Sequence, residues 1–143
     1  MAADCVLCRE AGGLPVWQGR QMRVIRAQEA GFPAFYRVIW SAHAAELSDL
    51  SDSERNACMA VVAQVERVIR AQLRPTKINL AALGNMVPHL HWHVIARYDW
   101  DSCFPASVWA NPLRERDLVR EAQLEQELAA CDAAIAQSLA AWA

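Results

Sequence analysis

The chain has 143 residues, 14 lysines and arginines against 16 acidic residues, and a formal net charge of −2. Its composition, 55% hydrophobic and 21% charged, excludes an intrinsically disordered chain and fits a single domain. The near-neutral charge argues against a nucleic-acid surface, which needs clustered cations. No apolar stretch approaches the ~20 residues needed to span a bilayer, so we expect no membrane partner.

The predicted elements begin with a hairpin. Two runs rich in β-branched residues, 22–27 and 35–40, are separated by a turn at 31–33 and predict two strands. Ser51 and Glu54 then form a capping box, so a helix is predicted from that point to Pro75.

Two further strands, at 77–83 and 89–97, are predicted on either side of a turn at 84–88. Asn111-Pro112 is a typical helix start, and the helix predicted after it carries one apolar stripe. That stripe packs either on the chain itself or across a dimer. The order of hairpin, helix, two strands and terminal helix predicts an α+β fold.

The N-terminal segment and the cysteines bear on the compartment. Residues 1–8 lack the basic and apolar regions of a secretory signal, so we expect a cytoplasmic protein with reduced thiols. Five unevenly spaced cysteines make a poor disulfide framework. Cys58 and Cys131 lie on apolar helix faces and are predicted to be core residues.

Three of the four histidines alternate along one predicted strand, at His89, His91 and His93. Alternation places their imidazoles on one face, and the intervening apolar residues on the other. A row of imidazoles packs poorly, because each ring has two nitrogens that need partners. Three interpretations stay open: a half-exposed polar strand, a three-histidine hydrolytic metal site, and a phosphate-handling catalytic strand, which we favour.

The segment His89-Leu90-His91-Trp92-His93-Val94-Ile95 resembles the signature of the histidine triad (HIT) superfamily, His-φ-His-φ-His-φ-φ, where φ is apolar. Segments 35–43, 46–50 and 78–88 are similar to the family's second strand, helix entry and approach to the triad. The resemblance covers about residues 5–110. It implies a single HIT-like domain over 1–143 with an antiparallel sheet, one long helix, a helical extension over about 111–143, and a homodimer.

The resemblance also implies an activity, the release of a nucleoside monophosphate by cleavage at the α-phosphorus. His91 matches the family's nucleophile, and His93 places the chain with the hydrolases, since the transferase branch has glutamine there. A backbone carbonyl holding Nδ1–H would free Nε2 of His91 to form a nucleotidyl-imidazole that water opens. His93 would contact the phosphoryl oxygens or protonate the leaving group, and His89 completes the catalytic set.

The substrates implied are nucleoside phosphoramidates, adenylates and dinucleoside polyphosphates. We expect no catalytic metal, because the nucleophile is nitrogen and imidazoles supply the positive field. The alternatives kept open are a nucleotide-binding or regulatory protein with weak turnover, and a zinc-dependent hydrolase that uses the triad as ligands.

Three positions depart from the family pattern. Phe35 stands where relatives commonly carry a further histidine, and Asn85 and Met86 replace glutamine and serine before the triad. Asn85 can still bond a phosphate oxygen, whereas Met86 offers only its backbone N–H. These changes leave the nucleophile intact but keep the hypothesis of a regulatory protein open.

Other contacts with a nucleotide are predicted at scattered positions. Asn79 matches a family asparagine near the phosphates, and Gln28 or Glu29 lies near the family's acidic ribose contact. Val24 and Ile25 either wall the base pocket or belong to the core. Trp109 either edges the active site or packs on the surface.

Cys5-Val6-Leu7-Cys8 is by itself a weak signal for redox chemistry, zinc or unliganded thiols. Some bacterial histidine triad proteins hold a structural zinc through two N-terminal cysteines, a histidine after the second strand and the first triad histidine. The resemblance maps these ligands onto Cys5, Cys8, His43 and His89. Such a Cys₂His₂ set is closed and tetrahedral, which suits a structural ion.

Overall fold

The computed structural model describes residues 2–143, which form one five-stranded sheet and three α-helices. Short 3₁₀ turns lie at Leu47–Asp49 and Ala140–Trp142. In chain order the elements are α1 (Val6–Arg9), β1 (Leu14–Gln18), β2 (Met22–Arg26), β3 (Phe35–Trp40), α2 (Asp52–Leu73), β4 (Lys77–Ala81), β5 (His91–Arg97) and α3 (Leu118–Ser138). The predicted α+β class is confirmed.

The strand order β1-β2-β3-β5-β4 places the triad strand in the interior of the sheet, and every neighbouring pair is antiparallel. The register of β3 against β5 sets Ile39 opposite His91 and Arg37 opposite His93. Directly opposed residues in a sheet project to the same face. The face that carries His91 and His93 therefore also carries side chains of β3.

Helices α2 and α3 cover the other face of the sheet. The capping box predicted at the start of α2 is present, because the Ser51 side chain accepts from the Glu54 N–H and the Glu54 carboxylate accepts from the Ser51 N–H. The helix ends at Leu73, and Arg74 turns the chain with a left-handed backbone before Pro75. The buried residues of α2 pack on Val38 and Val94 and their neighbours in one apolar core.

Helix α3 starts later than the sequence predicts. Its N-cap is Asp117, whose carboxylate accepts from the Arg120 N–H, so the predicted start at Asn111-Pro112 is wrong. The intervening residues are held away from helical geometry because the backbone N–H groups of Leu113 and Arg114 both donate to the carbonyl of Ser102. The apolar stripe of α3 packs on the chain itself, in the same core as α2, through Leu124, Leu128, Cys131, Ile135 and Leu139.

The N-terminal segment, which the sequence leaves without elements, covers part of the triad face. Cys5 and Leu7 pack there with Ile25, Phe35 and other residues in a second, smaller core. Strand β1 escapes prediction because it contains a proline and its pairing with β2 is shifted between Pro15 and Trp17. None of the helices within residues 2–143 has the length and apolarity that crossing a bilayer requires.

Candidate active site and metal centre

A cleft of about 360 Å³ opens on the triad face of the sheet. His91 and His93 lie in it together with Arg37 and Asn85. Its other lining residues are mostly apolar and come from the N-terminal segment, the turn before β5 and the loop after it: Val6, Leu7, Gly12, Leu83, Met86, Val87 and Trp109. The cleft therefore combines an apolar wall with a few convergent polar groups, as small-molecule sites do.

His91 is oriented by its own strand. Its Nδ1 lies 2.6 Å from the backbone carbonyl oxygen of His89, which can only accept, so Nδ1 carries the proton. The lone pair of the neutral ring is then at Nε2, which has no hydrogen-bond partner among residues 2–143. Burial lowers the pKa of His91, and the charge of Arg37 lowers it further. The hydrogen bond to the carbonyl of His89 acts in the opposite direction and raises it. The backbone contact that the sequence analysis expects for His91 is present.

His93 lies in a box of aromatic rings. Phe35 packs edge-on against it at 5.4 Å between centroids, Trp109 at 5.2 Å and His91 at 5.0 Å. The pKa of His93 is lowered to about 4, mainly by burial, then by the repulsion that a protonated His91 would exert and by the charge of Arg37. The ring is therefore neutral at physiological pH.

Arg37 is a residue of the cleft that the sequence analysis missed. Its Nε donates to Nδ1 of His93 over 3.4 Å, and its Nη2 lies 3.5 Å from Oε1 of Glu29. A signal was available, because period two places Arg37 between Phe35 and Ile39 as the one charged side chain of β3. Glu29 pairs with Arg37 but is not a lining residue of the cleft.

Of the remaining residues predicted to contact a nucleotide, some line the cleft and others lie outside it. Asn85 and Met86 line the cleft, and the Met86 side chain is 94% exposed. Asn79 does not line it, because its Oδ1 accepts from Nη1 of Arg97 at 2.8 Å. Trp109 reaches His93 and does line it. Val24 and Ile25 are both fully buried core residues, so neither borders the cleft.

An ion pair fixes the loop that carries Trp109. Arg97, 1% exposed, donates to both carboxylate oxygens of Asp101 at 2.9 and 3.0 Å and to the carbonyl of Ala106 at 2.7 Å. Its guanidinium also lies between the rings of Phe32 and Phe104. Asp101 in turn accepts the backbone N–H of Cys103 and Phe104. This clamp holds the loop after β5 against the triad face.

Cys5, Cys8, His43 and His89 form a second cluster, whose four ligand atoms lie within 4.8 Å of one another. Nδ1 of His89 is 3.3 Å from Nδ1 of His43, 3.3 Å from Sγ of Cys5 and 3.5 Å from Sγ of Cys8. A tetrahedral zinc with ordinary bond lengths separates two nitrogens by about 3.3 Å and a nitrogen and a sulfur by about 3.6 Å. The donor set therefore fits a tetrahedral metal ion.

The surroundings of the cluster also fit a metal centre. Nε2 of His89 lies 2.6 Å from the carbonyl oxygen of Trp40, an acceptor that fixes the ring and leaves Nδ1 for the metal. Arg23 secures the cysteine segment by donating to the backbone carbonyls of Leu7, Glu10 and Ala11. His89 thus belongs to the metal cluster, whereas His91 and His93 belong to the cleft and are not members of that cluster.

Comparisons with known proteins agree with this architecture. A curated AP-4-A phosphorylase from Mycobacterium tuberculosis is 31% identical over 98 residues, which is 64% of this chain and 50% of the relative. The chain therefore spans about half the length of that relative.

Solved structures extend the match over most of the fold. A histidine triad protein from Marinobacter aquaeolei has a TM-score of 0.71 and 24% identity, over 93% of each chain. A histidine triad family protein from Mycobacterium smegmatis, described as Zn-bound, has a TM-score of 0.62 and 23% identity, over 92% of this chain and 97% of that one. The family profile described as HIT domain matches residues 14–100. This chain belongs to the HIT domain family.

Proposed function

We propose that the protein hydrolyses nucleotide derivatives at the α-phosphorus through a covalent nucleotidyl-His91 intermediate. The observation that carries the proposal is the 2.6 Å contact between Nδ1 of His91 and the carbonyl oxygen of His89, in a ring that lines the cleft. This contact leaves the nucleophilic lone pair on Nε2, where a bound α-phosphoryl group can be attacked.

The reaction has two displacements. Nε2 of His91 forms a bond to phosphorus, the bond from phosphorus to the leaving group breaks, and its electron pair leaves with that group. The ring then carries a positive charge, which the hydrogen bond from Nδ1 to the carbonyl of His89 stabilises. Water next attacks phosphorus, the bond to Nε2 breaks, and a nucleoside monophosphate and a proton are released.

Other residues of the cleft serve the phosphoryl group and the nucleoside. His93 is placed to donate to a phosphoryl oxygen, and Asn85 and the backbone N–H of Met86 are further donors at the turn before β5. The apolar wall, with Leu7, Val87 and Trp109, offers a surface for a nucleobase. Asn79 and Glu29 act on this site only through Arg97 and Arg37, to which they are bonded.

A structural zinc held by Cys5, Cys8, His43 and His89 is part of the proposal. The donor distances support it, and the relative from Mycobacterium smegmatis is described as Zn-bound. A closed Cys₂His₂ set supplies no open coordination position, so the ion stabilises the fold and takes no part in either displacement. The nucleotide substrate is supported by the curated relative named AP-4-A phosphorylase. The homodimer is proposed from the family resemblance alone, and the cytoplasmic location from the sequence alone.

The test is covalent trapping. The full chain is mixed with donors labelled in the α-phosphate, including a dinucleoside polyphosphate, an aminoacyl-type adenylate and a nucleoside phosphoramidate, and quenched within one turnover. We expect label on His91 by peptide mapping. His91→Ala should lose the label and on the order of 10⁴-fold or more of kcat while still binding nucleotide, because the rest of the cleft is unchanged.

Two observations favour a second candidate, a nucleotide-binding protein with weak turnover. Phe35 gives His93 an apolar neighbour where relatives have a histidine, and Met86 offers no side-chain donor and is 94% exposed. Nucleotide binding without label on His91 from any donor would favour this candidate and contradict the hydrolase.

A further inference from the structure

The hydrogen bond between Arg37 and His93 decides where the proton of His93 lies. The two residues are directly opposed in the β3–β5 register, and Nε of Arg37 donates to Nδ1 of His93 over 3.4 Å. An arginine has donors only and stays charged in proteins, so Nδ1 of His93 must be the acceptor. The proton of the neutral ring is therefore at Nε2, on the opposite side of the ring from Arg37.

The surroundings of His93 disfavour a second proton on its ring. Arg37 is its one hydrogen-bond partner within residues 2–143. Burial is the largest cause of its lowered pKa, and the titratable or charged groups that face it, His91 from its own strand and Arg37 from β3, lower the pKa further. The carboxylate of Glu29 lies 3.5 Å from Nη2 of Arg37 and makes no hydrogen bond to His93, and the remaining neighbours, Phe35 and Trp109, are aromatic.

This arrangement separates two roles that His93 can have in phosphoryl chemistry. A neutral imidazole with Nε2–H donates a hydrogen bond to a phosphoryl oxygen without losing its proton. Giving that proton to a leaving group would turn the neutral ring into an imidazolate anion. This anion is so basic that it does not form near pH 7, so the neutral ring cannot act as the acid. General acid catalysis needs an imidazolium, and the contact with Arg37 opposes its formation.

Leaving groups differ in their need for that proton. An alkylamine leaves phosphorus only when its nitrogen is protonated, because the amide anion is very basic. A phosphate or carboxylate oxygen leaves as a stable anion: the bond from Nε2 of His91 to phosphorus forms, the P–O bond breaks, and the electron pair stays on the departing oxygen. No proton is transferred in that step.

We propose that Arg37 is a positioning residue that keeps His93 as a neutral Nε2–H donor, and that the enzyme therefore prefers nucleotide derivatives with a phosphate or carboxylate leaving group over nucleoside phosphoramidates of alkylamines. This inference rests on the proposed function and selects the substrate class of the same cleft. Arg37 acts on the chemistry through His93.

The experiment compares leaving groups on one nucleotide. The kcat/KM of the full-length protein is measured for diadenosine tetraphosphate, an adenylate with a carboxylate leaving group, and an adenosine phosphoramidate of an alkylamine. We expect the wild type to favour the two oxygen leaving groups by about 10²–10⁴-fold, the range that general acid catalysis would otherwise supply. Arg37→Met should reduce this preference several-fold at pH 5 and more as the pH falls, because Nδ1 of His93 then no longer faces a cationic donor and can accept a second proton, although burial still lowers its pKa.

Controls and spectra separate positioning from a structural role. Arg20→Met, at an exposed arginine outside the cleft, should leave the preference unchanged. Nitrogen-15 NMR of the imidazoles, with His93 assigned through His93→Gln, should show an unprotonated Nδ1 and a protonated Nε2 at pH 7 in the wild type. In Arg37→Met, the Nδ1 signal of His93 should begin to shift towards the protonated position at a higher pH than in the wild type.

Three results would overturn the inference. They are equal use of the phosphoramidate by the wild type, an Nδ1–H signal on His93, and an Arg37→Met variant that slows all substrates equally. If label is trapped on His91 but one of these results is found, only this inference fails. If no donor labels His91, the proposed function fails, and the NMR measurement still decides whether Arg37 sets the protonation of His93.

Discussion

His93 is buried among aromatic rings with an arginine as its hydrogen-bond partner, and this sets how it responds to acid. Its pKa in the folded protein is about 4, below the ordinary value of 6.5 that it regains on unfolding. The unfolded chain therefore takes up a proton first as the pH falls. The stability contributed by neutral His93 is present above about pH 6.5 and is lost as the pH falls towards 4.

We predict that His93→Gln flattens the pH dependence of stability. The free energy of unfolding, from urea titrations between pH 7 and pH 4, should fall less steeply in the variant, by up to about 1.4 kcal/mol per pH unit. The metal state must be the same in both proteins, since the cluster residues also bind protons. Parallel curves for the two proteins would show that His93 has an ordinary pKa in the folded state.

The sequence predicts the residues of the site unevenly. His91 could be singled out from the alternating histidines, and the candidate metal ligands from the family resemblance that joins Cys5 and Cys8 to two histidines; the structure brings those four ligand residues together. Arg37 and the off-cleft position of Asn79 could not, because both depend on cross-strand register and on the partner that each side chain takes in space. The residue types along one strand do not reveal its register with the next strand or the partner that each side chain takes.

At the scale of elements, the candidate metal cluster joins helix α1 to the sheet. This helix is too short to be stable alone. Helix α1 has four residues. Arg23 secures its segment by donating to the carbonyl of Leu7 within the helix and to those of Glu10 and Ala11 after it, and Cys5 and Cys8 lie at the candidate metal cluster. Val6 and Leu7, between the two cysteines, line the cleft. The candidate metal centre and one wall of the cleft therefore share a segment of the chain.

We predict that Cys8→Ser lowers metal content, thermal stability and nucleotide affinity together. A hydroxyl is a poor zinc ligand, so α1 should detach and its wall of the cleft should be lost. Metal analysis, calorimetry and nucleotide titration measure the three effects. Cys58→Ala is the matched control: it removes a buried thiol outside the cluster and should lower stability with unchanged metal content. Full zinc content in Cys8→Ser would contradict the proposed ligand set.

Elements with a strong local signal were predictable, and those shaped by distant partners were not. The capping box fixes the start of α2, and β-branched runs give β2 and β3. The start of α3 was misplaced because Ser102, far back in the chain, binds the backbone at 113 and 114. Strand β1 forms only because β2 offers it an edge to pair with, across a shifted register.

Over the whole molecule, the main apolar core and the cleft lie on opposite faces of the sheet. One face holds the core under α2 and α3, and the other holds the cleft and the metal cluster. Because α3 packs on β1 and α2, its apolar stripe contributes to global stability and does not contact the lining of the cleft. Stability and chemistry can therefore be perturbed separately.

We predict that Leu128→Ala lowers the free energy of unfolding by about 2–5 kcal/mol, because it leaves a cavity in the core. The kcat of the folded fraction should be unchanged, since the cleft lies on the opposite face. Leu118→Ala is the control, with the same substitution in the same helix at a side chain that is 63% exposed, and should change stability by under about 0.5 kcal/mol. Urea denaturation and initial rates measure both. A large loss of kcat in folded Leu128→Ala would show that the faces are coupled.

The two-residue alternation of β5 has a consequence for how this protein can diverge. Inserting a single codon between His91 and Trp92 would turn Trp92 and Val94 towards the cleft and His93 into the helix-covered core. One such frame-preserving event would disable binding and folding together. We therefore expect divergence within β5 to proceed by point substitution, with length changes confined to loops.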